Sequence, residues 1–248
     1  GSNATRLAEA LAAWTEADAM LHHAGTSADF IEVRAGRFLP DDLVTQLGAD
    51  FDLVAVRRLS PVLPVLSRRD VRVPFGTAEE MMAYNADKGL TLWELACHYE
   101  SARGGLTQDQ VLARMEETIR IMKAAVAQGI AGTDYADRIL GQQSDGFQTA
   151  LIGGELLDGG VLNRMILYVT ALMEVKSAMG VFVAAPTAGA CGGLPGACLG
   201  AVDAMGLGVE EAAKAMLAAG LIGVFIAARA TFAAEVAGCQ AEGGAGSG

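Results

Sequence analysis

Apolar side chains return with a helical period along much of the chain. Over 107–128, Val111, Met115, Ile119, Met122 and Val126 form one stripe, predicting an amphipathic helix. Residues 5–24 place Leu7, Leu11, Trp14 and Leu21 at similar spacing, predicting a helix that Gly25 stops. Thr77-Ala78-Glu79-Glu80, Thr91-Leu92-Trp93-Glu94 and Thr107-Gln108-Asp109-Gln110 match the capping box and predict three helix starts. Gly89, Gly104 and Gly129 fall where those helices should stop. Segments 161–173 and 208–230 are apolar around most of their circumference, predicting helices at the centre of a large bundle. Between 26 and 76 the pattern is mixed. Leu53-Val54-Ala55-Val56 reads as a short strand or a helix end, and 60–76, with three prolines, as an extended connector over a surface.

The fold class predicted is all-α: a large helical bundle with a buried central helix and segments broken by Gly and Pro. Residues 5–76 form an N-terminal extension without an assigned role, and 77–248 a helical domain. The opening Gly1-Ser2-Asn3-Ala4 reads as a remnant of tag removal. Composition supports helices: hydrophobic residues make up 52% and aromatics only 6%. A formal net charge of −11, with no basic run longer than a pair, argues against nucleic acid as a partner. Glu210, Glu211, Lys214 and Arg229 interrupt the longest apolar run, which argues against a membrane span. Four cysteines without a framework spacing suit a reducing cytoplasm.

Candidate chemistry concentrates near the C-terminal end, in AAPTAGACGGLPGACLG at 184–200. Pro195 suits the first turn of a helix running from Gly196 to Met205, whose free N–H groups would accept an anion. Thr187, Gly189, Gly192 and Gly193 let a backbone approach closely and add one hydroxyl. A small carboxylate fits better than a nucleotide, because no GK[ST] follows. A second reading is a tight helix–helix crossing that needs small residues. Further on, Glu235-Val236-Ala237-Gly238-Cys239-Gln240-Ala241-Glu242 offers a thiol between Gly and Gln, either a metal ligand or a buried small hydrophobe. No Ser-His-Asp arrangement can be built from the three scattered histidines.

MEVKSAMGVFVAAPTAGACGGLPGACLG (173–200) and ATFAAEVAGCQAE (230–242) together resemble the α subunit, or catalytic domain, of bacterial iron–sulfur L-serine dehydratases. AVAQGIAG at 125–132 and a following loop with Ile139-Leu140-Gly141 extend the resemblance over roughly 77–242. It implies β-elimination of water from L-serine, giving pyruvate and ammonia, with a [4Fe–4S] cluster as Lewis acid. It also implies that Cys239 is a cluster ligand, and that Thr187, Ala188, Gly189 and Ala190 belong to a substrate-side loop. The catalytic base is not assigned. A β subunit or a second copy of the chain is the implied partner.

Several residues depart from the family pattern. Two further cluster ligands have no counterpart before Gly248, so 77–248 reads as a catalytic domain cut short, with the cluster absent or incomplete. Lys176 stands where the family has Asn, and Thr231-Phe232-Ala233-Ala234 replaces a Ser-Ile-Ser-Gly run. Two alternatives follow. One is a related lyase acting on another small β-substituted amino acid such as cysteine. The other is a non-enzymatic relative without a cluster.

Overall fold

A computed structural model describes residues 3–14, 17–26, 28–58, 71–135, 138–139 and 141–248. They form two compact units, Gly1–Val62 and Leu63–Gly248.

The first unit runs α1 (Asn3–Ala12), β1 (Ala17–His23), β2 (Phe30–Ala35) and α2 (Asp41–Asp50). The helix predicted over 5–24 therefore ends at Ala12, and the chain turns into a strand. β1 pairs antiparallel with β2, from Ala17 opposite Ala35 to His23 opposite Phe30, with an irregularity between Ala17 and Ala19. Ladder bonds to β2 override the helical spacing of Leu21, because strand formation depends on the neighbour more than on intrinsic preference. Gly25 lies in the β1–β2 connection, where its N–H donates to Asp29 Oδ1 at 3.2 Å. Among the described residues, the two-stranded sheet is the one departure from an otherwise helical architecture. Among this unit's described residues, Ala4, Leu11 and Leu47 are the buried apolar ones. Asn3 and Ala4 belong to α1. Leu53–Val56 is neither strand nor helix, and Val54 and Val56 face solvent.

The described elements of the second unit are all helices: α3 (Ala78–Asn85), α4 (Leu92–Gly104), α5 (Gln108–Ala131), α6 (Ser144–Ile152), α7 (Val161–Ser177), α8 (Gly193–Ala204), α9 (Val209–Arg229), α10 (Ala234–Ala237) and α11 (Cys239–Ser247). The three predicted starts stand at α3, α4 and α5. Thr107 makes the full reciprocal cap: its hydroxyl accepts from Gln110 N–H at 3.2 Å, and its own N–H donates to Gln110 Oε1 at 2.9 Å. Such a cap contributes about 1 kcal/mol. At Thr77 the box is half made, because the Glu80 carboxylate takes the N–H of Gly76 instead, at 2.6 Å.

Helix stops were less legible. α4 closes on Gly105, in the left-handed region at φ 63°, one residue beyond Gly104. Gly129 is not a stop. α5 runs through it to Ala131, and a Cβ at Gly129 would lie 2.2 Å from Ala171 O. Its lack of a side chain lets α5 cross α7 closely.

Two apolar clusters hold the unit together. One joins Ile119, Met122 and Val126 of α5 to Ala171, Leu172 and Val175 of α7, Leu199 of α8, and Ala213 and Met216 of α9. The other gathers Phe75, Leu95, Ala96, Cys97, Val111, Leu217 and Leu221. Of the predicted connector 60–76, residues 60–70 lie outside the described residues, as does Leu140 of the Ile139-Leu140-Gly141 loop. The described end of the connector does more than cover a surface. Phe75 is 2% exposed, with ring centroids of Tyr84, Tyr99 and Phe225 at 5.4, 5.8 and 6.3 Å.

α9 is long and apolar enough to cross a membrane by length and composition. Its first half is buried through Ala212, Ala213, Met216 and Leu217, whereas Ile222 and the residues after it are partly exposed. Its last residue, Arg229, is paired with Glu79 at 2.8 Å.

Candidate functional site

The broken segment 178–192 links α7 to α8. Its glycines divide by role. At Gly196 an added Cβ would lie 2.6 Å from Val169 N, at Gly200 2.6 Å from Met165 Cα, and at Gly192 2.7 Å from Met173 Cγ. These three share one face of α8 at four-residue spacing, so α8 lies almost backbone to backbone on α7. The helix-crossing reading therefore accounts for 192, 196 and 200. Pro195 is buried in the first turn of α8, which begins at Gly193, three residues before the predicted Gly196 start.

Residues 187–190 form a separate turn at the surface. The Thr187 hydroxyl accepts from Ala190 N–H at 3.2 Å, and Ala190 O accepts from Gly193 N–H at 3.0 Å. Ala188 and Gly189 are exposed. Against this turn lies α11. A Cβ at Gly189 would sit 2.1 Å from Glu242 Oε2, and one at Gly246 would meet Ala190 Cβ at 3.5 Å. Cys239 begins α11 and is exposed. Residues 239, 242 and 246 follow helical spacing, so Cys239 shares the face that meets the turn. The opposite face, with Gln240, Ala241, Gly244 and Ala245, lines an open cavity of about 550 Å³ against Ile226, Ala230 and Thr231.

Residues 87–248 match the family described as Serine dehydratase alpha chain. The chain belongs to that family.

Among its relatives is a "Probable L-serine dehydratase, alpha chain" of Bacillus subtilis, 26% identical over 70% of this chain. An "L-serine dehydratase, alpha chain" of Peptoniphilus asaccharolyticus is 26% identical over 69% of it. An "L-serine dehydratase" of Haemophilus influenzae is 29% identical over 69% of it, but only 39% of that protein is matched. The chain spans 58% and 59% of the first two relatives' own length.

Both sequence blocks thus meet in one place, the 187–190 turn under α11. Its cysteines do not converge. Of four, Cys97 and Cys191 are buried, Cys198 is half-buried and only Cys239 is exposed. Burial pushes the thiols of Cys97, Cys191 and Cys198 up, and for Cys191 the Lys176 ammonium offsets part of that effect. No three His, Cys, Asp or Glu side chains come together as a metal site among the described residues. A cluster held by three thiolates does not fit this donor set.

One functional-block residue escaped sequence reasoning. Glu174 of α7 binds the start of α6: its Oε1 accepts from Gln143 N–H at 2.6 Å and Ser144 N–H at 3.1 Å. Its Oε2 accepts from the fully buried Ser144 hydroxyl at 2.7 Å. The carboxylate caps α6, where negative charge is favoured. The lone acid of a largely apolar helix was the available signal.

Proposed function

We propose that the chain forms the α-chain part of an L-serine dehydratase, which removes water from L-serine. The aminoacrylate so formed hydrolyses to pyruvate and ammonia. One observation carries the reading: α11, bearing Cys239 and Glu242, is seated on the Thr187–Ala190 turn, so the two family blocks come together at one place on the surface. Thr187 fixes the turn, and Ala188 and Gly189 present backbone at its tip, which suits a small carboxylate. The iron–sulfur cluster implied by the resemblance is not completed by these residues, which supply one exposed thiol, Cys239. A β chain is the expected partner, in line with the "alpha chain" names of the relatives. Four free cysteines suit the cytoplasm.

Serine is favoured over cysteine as substrate. The three relatives named above are serine enzymes by name; Thr231, which with Phe232 prompted the cysteine alternative, accepts at its hydroxyl from Ala233 N–H at 3.0 Å. The complete enzyme, purified without oxygen together with its partner chain, is expected to form pyruvate and ammonia in equal amounts from L-serine. Absence of pyruvate from L-serine, with turnover of another amino acid, would replace this reading.

A further inference from the structure

The first unit carries a very small sheet. Its two strands, β1 and β2, are joined by no third strand among the described residues. A two-stranded ladder is marginal in water, and the buried apolar side chains described in this unit, Ala4, Leu11 and Leu47, give it little support. Side chains of β2 alternate. Ile31, Val33 and Ala35 are half-buried on one face, whereas Phe30, 58% exposed, and Arg34 stand on the other. Glu32 shares that outer face, where its Oε1 accepts from Arg34 Nε at 2.6 Å.

The outer edges of the two strands differ. The pairing of β1 is broken between Ala17 and Ala19, the kind of bulge that discourages a further strand. Along β2 the register is regular, with no proline and no lysine. Its outer edge has no strand partner among the described residues. Such an edge is a template for another chain.

We propose that β2 pairs antiparallel with β2 of a second copy of this chain, about a two-fold axis at Val33, so that two hairpins form one four-stranded sheet. Charge selects both the occupant and the register. With Val33 opposite Val33, Glu32 of each copy lies opposite Arg34 of the other, on the same face. Moving the centre to Glu32 sets the two glutamates against each other, and moving it to Arg34 does the same for the arginines. A shift that exchanges the faces would bring the half-buried side chains outward. In the selected register Phe30 lies over Gly36 of the other copy, where a Cβ would meet nothing within 4 Å; an aromatic ring beside an edge glycine stabilises a sheet. On the opposite face Ile31 meets Ala35 and Val33 meets Val33, which continues the apolar surface from copy to copy. This interface lies in the first unit and does not depend on the proposed function.

The test is sedimentation of the full chain. Wild type is expected to be dimeric at micromolar concentration. Glu32→Arg sets arginine against arginine at both charged pairs, and Arg34→Glu sets glutamate against glutamate. Each should weaken dimerisation by about tenfold or more, because two pairs turn from attraction to repulsion. Mixed in equal amounts, the two variants should dimerise again, since two arginines of one copy then face two glutamates of the other. Mixing repairs no contact within a copy, so recovery reports pairing between copies. In a Cys239→Ser background, Val33→Cys should cross-link to its counterpart under mild oxidation, because directly opposed residues of antiparallel strands lie within disulfide reach. Circular dichroism checks that each variant keeps its fold. A monomeric wild type, a dimer indifferent to both charge changes, variants that stay apart when mixed, or a dimer without the cross-link would overturn the proposal.

Discussion

Gly196→Ala is expected to be among the most disruptive single changes in the helical unit, although it adds one methyl group. That methyl would arrive 2.6 Å from Val169 N and 2.7 Å from Val169 Cα. Both are backbone atoms of α7 and cannot rotate away. Relief requires α8 to lift from α7, which opens the cluster containing Leu199, Ala171 and Leu172. Overpacking of this kind costs about 1–3 kcal/mol, and the backbone obstacle places Gly196 at the upper end. Because the 187–190 turn leads directly into α8, serine turnover should fall with stability. Gly193→Ala is the control: an added Cβ there meets nothing within 4 Å, so it should leave stability almost unchanged. Denaturant titration separates the two, with a lower midpoint at unchanged slope for Gly196→Ala. Equal midpoints would mean that α7 and α8 do not cross at these glycines.

Phe75→Ala should cost about 3–5 kcal/mol, as for other fully buried aromatic side chains. Phe75 comes from irregular chain ahead of α3, yet its ring lies among Tyr84 of α3, Tyr99 of α4 and Phe225 of α9. It is therefore the point at which three helices share one apolar partner. Phe75→Leu, which keeps most of the buried area, should cost much less. A thermal melt in which Phe75→Ala matches wild type would show that the segment before α3 does not enter the core.

The helical frame was legible because its signals are local. Threonine caps three helix starts, and the Val111–Val126 stripe reports the buried side of α5. Three features were hidden because they depend on distant chain. The β1–β2 ladder needs Phe30–Ala35 to be present before Ala17–His23 becomes a strand. Gly129 looks like a helix stop until Ala171 is brought against it. Phe75 sits beside a proline in an irregular stretch, and its partners follow it by 9 to 150 residues.

The candidate site draws on residues that the sequence marks only in part. Thr187–Ala190 and Cys239 were singled out from two blocks about 50 residues apart, and α11 carries one block onto the other. Glycine spacing alone could not say that 192, 196 and 200 serve packing while 189 faces Glu242. That division depends on which side of the turn α7 and α11 occupy. Glu174 was missed because its partners, Gln143 and Ser144, lie some 30 residues upstream in a stretch with no motif.

The central claim is that α11 and the 187–190 turn form one amino-acid site, with Cys239 on its rim. Alkylation of the purified chain by iodoacetamide, read residue by residue by mass spectrometry, tests it directly. Cys239 should react first, while Cys97 and Cys191 stay protonated and covered until the protein is denatured. L-serine should slow the reaction at Cys239, and 2-aminoethanol should protect it less. If Cys239 reacts at the same rate with and without L-serine, or a buried thiol reacts before it, the site is not where this account puts it.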